Sequence, residues 1–273
     1  MTRSVRRTRR MLQLAGAGAA ALMALSACSS SSSDSSNTKS DKTGAAPKLS
    51  GTVTVFAAAS LKESFTTLGK EFEQQHPGTK VSFNFGGSDT LAASITGGAP
   101  ADVFAAASPK TMAIVTDKKD AATTPATFVR NQLEIATLPG NPDKVSSLKD
   151  LTKSGLKVVL CDRTVPCGAA AQKALDAGKV KLTPVSYEQD VKSALNKVEL
   201  KEADAAVVYR TDVKSAVGKV EGVEFPESAQ AINDYPIALL KNAPNAQAAK
   251  AFIALVQSAE GQKVLSEAGF LKP

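Results

Sequence analysis

The sequence is poor in the side chains that most often carry chemistry. Its 273 residues include no tryptophan, three tyrosines and a single histidine, His76. Zinc sites built from several histidines, and the paired-histidine motif of metalloproteases, are excluded because their ligands must converge from several side chains. So few aromatic rings also leave little on which nucleic-acid bases can stack. These absences argue against histidine-based zinc sites and against proteins that stack nucleic-acid bases.

The formal charge of +7 does not describe the folded part of the chain. Residues 1–27 hold five arginines and no acidic residue, and the remainder has 28 basic and 26 acidic residues. A surplus of two charges gives no extended positive surface for phosphate backbones, so nucleic acid is not an expected partner. The hydrophobic share of 43% and the charged share of 22% are those of a globular protein.

The N-terminus has the features of a bacterial export signal. Residues 1–27 join a basic start to an apolar run that is too short to span a bilayer as a folded protein's helix. Leu25-Ser26-Ala27-Cys28 resembles the lipobox of bacterial lipoproteins, whose cysteine is acylated and becomes the new N-terminus. We therefore expect lipid on Cys28 and a domain held at the outer face of the cell membrane. Arg9 and Arg10 fit a twin-arginine signal as well as a general secretory one, so the route stays open.

A low-complexity segment follows the predicted lipidation site. Residues 28–48 are rich in serine, aspartate, lysine and threonine, a composition that cannot bury a core. We predict a tether over these residues and a folded domain that starts near Leu49. No later segment reaches 18 continuous apolar residues.

Alternating strands and helices predict an α/β fold. Residues 52–58 form an apolar, β-branched run typical of a strand covered on both faces. Ser60 and Glu63 have the spacing of a capping box, which predicts that Ser60 opens a helix reaching about Gln75. Further elements are predicted in the order strand 81–85, helix after Ser88, strand 102–106 and a helix capped by Ser108 and Pro109.

A second alternating unit begins at Leu133, and the chain then returns to the first. The second unit is predicted to contain strands at 133–137, 157–160 and 205–209, with helices at 168–176 and about 189–198. A strand at 235–240 and two closing helices follow. We therefore predict two α/β lobes joined by hinge strands, with lobe 1 formed by residues 49–130 plus 235–273 and lobe 2 by residues 131–234. Ligand is expected between the lobes, at the carboxyl ends of strands.

Three turns that precede predicted helices share one geometry. Ser60 and Ser88 each follow a strand, and residues 165–168 lie just before a helix. The first amides of a helix lack intrahelical acceptors, and the helix dipole adds about half a positive charge there. A serine hydroxyl in such a turn can accept one hydrogen bond and still donate its proton. Facing one cleft, the turns would cradle an anion without a cationic side chain, although each serine taken singly also fits an ordinary helix cap.

These turns carry a resemblance to a known family. With the segments around them, they closely resemble the periplasmic molybdate-binding proteins of ABC uptake systems, over essentially everything after the tether. The matching segments are Phe56-Ala57-Ala58-Ala59-Ser60-Leu61, Phe83-Asn84-Phe85-Gly86-Gly87-Ser88, Gly98-Ala99-Pro100-Ala101-Asp102-Val103-Phe104, Val165-Pro166-Cys167-Gly168, Gln189-Asp190-Val191, Val207-Val208-Tyr209 and Tyr235-Pro236.

The resemblance implies a type II periplasmic-binding-protein fold and a set of oxyanion contacts. It implies that Ser60 and Ser88 contact the anion by hydroxyl and amide, Cys167 and Val191 by main-chain amide, and Tyr209 by its phenol. The family often has alanine where this chain has Cys167, and a main-chain contact tolerates that change. Without the resemblance, Val191 fits a core position and Tyr209 a core hydrogen bond.

The resemblance also implies the ligand and partners. Molybdate is the expected ligand, with tungstate beside it, and no cofactor, enzymatic activity or separate metal site is expected. A membrane permease with a cytoplasmic ATPase is the expected partner of a monomeric binding protein. Molybdate, tungstate and sulfate are fully deprotonated at neutral pH, whereas phosphate keeps a proton that needs an acceptor, so a cradle of donors disfavours phosphate. Sulfate or another tetrahedral oxyanion stays open as the alternative ligand.

Three further points stay open in the sequence. Cys161 and Cys167, six positions apart in an exported chain, indicate either a disulfide or two free thiols. Asp89 and Asp190 lie beside the expected donors, and we expect each to favour a helix N-terminus from the solvent side.

An extracytoplasmic hydrolase with Ser60 or Ser88 as nucleophile is the rival class, but His76 lies about four turns from Ser60 and no G-x-S-x-G elbow is present.

Overall fold

The computed structural model describes residues 48–273, which lie within one compact unit. The predicted export signal, the lipidation site at Cys28 and all of the predicted tether except Lys48 lie outside the described residues. Within residues 48–273, no helix has both the length and the apolar character needed to cross a membrane.

The described residues form ten strands and eight α-helices. The strands are β1 (Gly51–Ala58), β2 (Thr79–Gly86), β3 (Val103–Ala105), β4 (Ala126–Asn131), β5 (Leu133–Thr137), β6 (Val158–Cys161), β7 (Ser186–Glu188), β8 (Ala205–Tyr209), β9 (Glu221–Val223) and β10 (Asn233–Leu239). The helices are α1 (Lys62–Gln75), α2 (Ser88–Thr96), α3 (Pro109–Asp117), α4 (Pro166–Ala177), α5 (Val191–Glu199), α6 (Arg210–Ser215), α7 (Ala246–Gln257) and α8 (Ala259–Glu267).

The first sheet has the strand order β2-β1-β3-β10-β4. β1 pairs in parallel with both β2 and β3, and β10 pairs antiparallel with β3 and β4. Side chains alternate across β1, so that Val55 packs with the core that includes α1, α7 and α8, while Phe56 packs with α2 and α3. Coverage on both faces explains the nearly continuous apolar run of β1.

The second sheet has the strand order β7-β6-β8-β5-β9. β6 pairs in parallel with β7 and β8, and β5 pairs antiparallel with β8 and β9. Its core is dominated by valine, alanine and leucine from the strands and from α4 and α5. Ala59, which follows β1 of the first sheet, is buried in this second core, so the two sheets pack closely at that point.

The chain passes between the sheets twice. It leaves the first sheet at Asn131 and enters the second at Leu133, and it returns after Val223 to start β10 at Asn233. The two α/β layers therefore have the bilobal, type II arrangement expected from the sequence. The lobe boundaries given above stay a prediction.

Several local predictions differ from the structure. Ser60 does not cap α1: it lies in a 3-10 turn over Ala59–Leu61, and α1 begins at Lys62 without a side-chain cap. α4 begins at Pro166, two residues before the predicted start, because proline suits the first position of a helix. The short strands β4, β7 and β9 are absent from the predicted order of elements. The cap of α3 is as predicted, since Ser108 accepts from the Thr111 amide and Pro109 follows.

Candidate functional site

One small cavity collects all the residues predicted to contact ligand. It lies where the first and second sheets meet, beside the carboxyl ends of β1, β2 and β8, the position typical of ligand sites in α/β proteins. The centre of a water molecule can occupy a volume of about 20 Å³ within it, so the cavity is large enough to hold a water molecule. Its lining is Ala58, Ala59, Ser60, Gly86, Gly87, Ser88, Ala107, Val165, Pro166, Cys167, Asp190, Val191 and Tyr209.

Both serines are buried, and both of their hydroxyls are hydrogen-bonded within the protein. The Oγ atom of Ser60 lies 2.8 Å from the hydroxyl oxygen of Tyr235, and the side chain is 4% exposed. Ser88 is the first residue of α2, and its Oγ accepts from the Ala107 amide at 3.0 Å. Because a hydroxyl that accepts a hydrogen bond still has a proton to donate, Ser88 can offer its proton to a ligand.

Two helices place residues of their first turns in the lining of the cavity. Cys167 is the second residue of α4, and Val191 is the first residue of α5. Amides at these positions have no acceptor within their own helix. Both residues line the cavity, so their N–H groups and the positive ends of the two helix dipoles are available to an anion.

Tyr209 ends β8 and lines the cavity. The side chain is 1% exposed, and its oxygen accepts from the Asn233 amide at 2.7 Å. Burial, together with the nearby Tyr235, raises the pKa of the Tyr209 hydroxyl well above its ordinary value. The phenol therefore stays protonated at neutral pH and is a hydrogen-bond donor.

The donors around the cavity are neutral. Among the described residues that line it, none is a lysine, arginine or histidine, and Asp190 is the one carboxylate. Asp190 caps α5, since its two oxygens accept from the amide and the hydroxyl of Ser193. Asp89 lies in the first turn of α2, where one of its oxygens is buried without a hydrogen bond. Asp190 thus caps a helix as expected, but the expectation that both aspartates lie on the solvent side is wrong, since Asp190 lines the cavity and an oxygen of Asp89 is buried.

A disulfide links Cys161 to Cys167 in the structure. Cys161 ends β6 and Cys167 lies in the first turn of α4, so the link closes the loop between the strand and the helix. Asn233 also reaches this loop, donating to the Pro166 carbonyl at 3.3 Å. The loop that supplies the Cys167 amide is therefore held at both ends.

A cluster of charged side chains joins the two sheets beside the cavity. The ammonium group of Lys192, on α5, lies 2.9 Å from a carboxylate oxygen of Glu63, on α1. It also lies 3.2 Å from Asp212, which is fully buried and accepts from the Tyr209 amide. Burial outweighs the attraction of Lys192 and raises the pKa of Asp212 to about 6. Burial opposes the charge of Lys192, but the attraction of Asp212 and Glu63 raises its pKa overall.

The sequence pointed to the five lining residues but missed the groups behind them. Asn131, Asn233 and Tyr235 form hydrogen bonds to the lining side chains or to one another, and Lys192 bridges the sheets. Tyr235 lies in one of the segments quoted for the family resemblance, which is the one signal that marked any of them. The asparagines carry no spacing that distinguishes them from loop residues.

Two α/β sheets that enclose a small cavity of neutral donors define the class of bilobal solute-binding proteins. The chain belongs to the family of bacterial extracellular solute-binding proteins, whose sequence profile matches residues 53–271. This is a family of binding proteins and not of enzymes, and it works outside the cytoplasm.

Relatives and solved structures agree with this class. The chain is 41% identical over 222 residues to the molybdate-binding protein ModA of Mycobacterium tuberculosis, covering 81% of this chain and 85% of that one. It is 32% identical to ModA of Escherichia coli, covering 81% and 89%. The substrate-binding domain of a putative molybdenum ABC transporter from Clostridium difficile matches with a TM-score of 0.60 and 30% identity, covering 82% and 100%.

A more distant structure shares the fold alone. The sulfate-binding protein SubI of Mycobacterium tuberculosis matches with a TM-score of 0.68 and 18% identity, covering 81% of this chain and 86% of that one. The fold is therefore common to binding proteins named for different oxyanions, and ligand choice must come from the lining of the cavity.

We predict that Gly87→Ala weakens anion binding in this cavity. A Cβ atom at Gly87 would lie 2.6 Å from the main-chain oxygen of Gln189 and 2.8 Å from Oδ1 of Asp89, so the approach of the two sheets at this point would be obstructed. The φ of −60° and ψ of 130° at Gly87 suit alanine, so the backbone itself is not strained. We expect calorimetry to give about tenfold weaker binding, about 1.4 kcal/mol. Unchanged affinity would contradict close approach at this point.

We predict that the charge of Asp212 makes stability depend on pH. Its pKa is higher in the folded state than in the unfolded chain, so the folded state binds the proton more tightly. The free energy of unfolding contributed by this group therefore rises as pH falls through about 6 toward about 4. Denaturant unfolding of the wild type and of Asp212→Asn should show the wild type gaining stability relative to the variant over that range. Parallel profiles would show that Asp212 does not titrate there.

Proposed function

We propose that the protein captures molybdate, and tungstate with it, from outside the cytoplasm for delivery to a transporter. The observation that carries the proposal is the convergence of Ser60, Ser88, Cys167, Val191 and Tyr209 on one small cavity. The relatives named ModA support molybdate as the ligand.

The energetics of such a site are sufficient. About six hydrogen bonds to a charged ligand, at about 1.5 to 3 kcal/mol each, sum to about 9 to 18 kcal/mol. Association costs about 4 kcal/mol or more, which leaves room for sub-micromolar binding. The buried surroundings strengthen each bond, because few waters compete for the anion.

The hydrogen-bond donors explain a preference for anions that carry no proton, and the dimensions of the cavity explain a preference among such anions by size. A donor-only site fits anions without a proton and leaves the proton of hydrogen phosphate unpaired. Sulfate has the same charge as molybdate and shorter bonds, so discrimination between them must rest on how well the walls fit. Sulfate is the alternative ligand for this reason.

We further propose the surroundings in which this capture occurs. Lipid on Cys28 would anchor the chain to the outer face of the cell membrane, and the serine-rich residues 28–48 would let the domain move at that surface. A permease driven by a cytoplasmic ATPase would receive the anion from a monomer. The similarity to the substrate-binding domain of a molybdenum ABC transporter in Clostridium difficile supports this partner.

The choice of ligand can be tested by comparing four tetrahedral oxyanions. Isothermal titration of residues 29–273 with molybdate, tungstate, sulfate and phosphate should give tight binding to molybdate and tungstate, weaker binding to sulfate and none to phosphate at the same concentrations. The physical reason is that all four ions are tetrahedral, but they differ in size or in carrying a proton. Tighter binding to sulfate than to molybdate would assign the alternative function.

The hydroxyls of Ser60 and Ser88 are expected to contribute to anion binding. Ser60→Ala and Ser88→Ala should each weaken molybdate binding by about 1 to 3 kcal/mol, because each removes a donor from a buried anion. Ser94→Ala is the matched control, since the Ser94 hydroxyl donates to a carbonyl within the exposed face of α2. Unchanged titrations for both Ser60→Ala and Ser88→Ala would mean that the anion binds elsewhere.

A further inference from the structure

The side chains of Ser60 and Tyr209 contact a layer of buried amides and a phenol that has no assigned role. Asn131 ends β4 and Asn233 begins β10, and the two residues are direct partners in the antiparallel ladder. Tyr235 lies two residues further along β10. Asn131 and Tyr235 are 0% exposed, and Asn233 is 7% exposed. The layer touches the hydroxyls of both Ser60 and Tyr209.

The Asn233 amide can meet Tyr209 in one orientation only. Its Nδ2 atom lies 3.3 Å from the main-chain oxygen of Pro166 and 2.7 Å from the hydroxyl oxygen of Tyr209. A carbonyl oxygen can only accept, so the amide must present its nitrogen on this side. The Tyr209 oxygen therefore accepts a hydrogen bond from Asn233, which leaves its own proton for a ligand or for the neighbouring Tyr235 hydroxyl.

The Asn131 amide is fixed in the same way. Its Oδ1 atom accepts from the Gln132 amide at 3.0 Å, which leaves the nitrogen to face Thr211 and Tyr235. The Tyr235 oxygen accepts from Asn131 at 3.3 Å and lies 2.8 Å from the Ser60 oxygen, and in that pair either hydroxyl can donate. The orientation of the Asn131 amide therefore does not determine the direction of the Ser60 hydroxyl.

Two of the cavity hydroxyls thus receive a hydrogen bond from the protein. Besides Tyr209, the Ser88 oxygen accepts from the Ala107 amide. A hydroxyl that already accepts from the protein has its proton directed elsewhere, whereas a free hydroxyl must first turn toward a ligand. An anion without a proton gains from a hydroxyl that is oriented in advance.

We propose that Asn233 is a positioning residue that sets the direction of the Tyr209 hydroxyl, so that its proton points at the bound oxyanion. This rests on the proposed function, because it assumes an anion in the cavity. Asn233 is not among the residues that line the cavity, and it acts through Tyr209. The preference for a fully deprotonated anion is thereby determined one layer behind the residues that bind it.

A double-mutant cycle tests the Asn233 arm. Molybdate is titrated by calorimetry into the wild type, Asn233→Leu, Tyr209→Phe and the double variant. Leucine is close in size to asparagine and has no donor, so the Tyr209 proton is free to turn toward the Pro166 carbonyl. We expect each single change to weaken binding about tenfold, and the double variant to bind no more weakly than Tyr209→Phe alone. Asn233→Ala replaces Asn233→Leu if leucine lowers the melting temperature below the titration range.

Asn245→Leu is the matched control. The Asn245 side chain also donates to main-chain carbonyls, those of Ser50 and Thr52, but away from the cavity. We expect it to lower the melting temperature while molybdate affinity stays at the wild-type value. This separates a loss of stability from a loss of hydroxyl orientation.

The outcomes distinguish this inference from the proposed function. If the wild type does not bind molybdate, the proposed function falls and the inference falls with it. If the wild type binds and Asn233→Leu weakens binding equally with and without the Tyr209 hydroxyl, the inference alone is overturned. Wild-type affinity in Asn233→Leu, or in Tyr209→Phe, overturns it as well.

Discussion

A small dianion can be buried without a cation only if the groups around it all present protons. Burial removes the water that solvates the charge. Every lone pair turned toward the anion therefore raises the free energy of the bound state, and every donated proton lowers that free energy. The function proposed for this protein depends on that requirement. Helix starts supply amides, which are donors by nature, and the hydroxyls of Ser88 and Tyr209 accept from groups behind them. Neutral groups can stabilise a buried anion when all of them donate hydrogen bonds to it.

The sequence predicted the fold class and the residues that line the cavity. Apolar runs such as β1 and the turns at Ser88 and Val191 carry local signals, because covered strands and helix starts depend on neighbouring residues. Ser60 shows the limit of such signals. Its spacing from Glu63 fits a capping box, yet its hydroxyl turns to Tyr235, 175 positions away in the chain. A tertiary contact overrides the local preference here, and local spacing cannot reveal it.

The layer behind the cavity was out of reach for a related reason. Asn131 and Asn233 become neighbours only when β4 and β10 pair, and β4 is a short strand with polar residues at its end. The direction of each amide then depends on a third group, the Gln132 amide in one case and the Pro166 carbonyl in the other. Orientation of this kind is a property of the assembled network. Single-residue patterns hold no information about it.

Closure and selectivity are linked through the same contacts. Gly87 meets the Gln189 carbonyl where the two sheets approach, and the Glu63–Lys192 ion pair spans the sheets beside the cavity. Molybdate and sulfate carry the same charge, so the proposed preference for molybdate requires a cavity whose dimensions stay fixed. A flexible cavity would contract around the smaller sulfate ion and would bind both ions with similar affinity. The disulfide at Cys167, the buried amide layer and the close approach at Gly87 each restrict such yielding, which ties selectivity by size to the rigidity of the closed form.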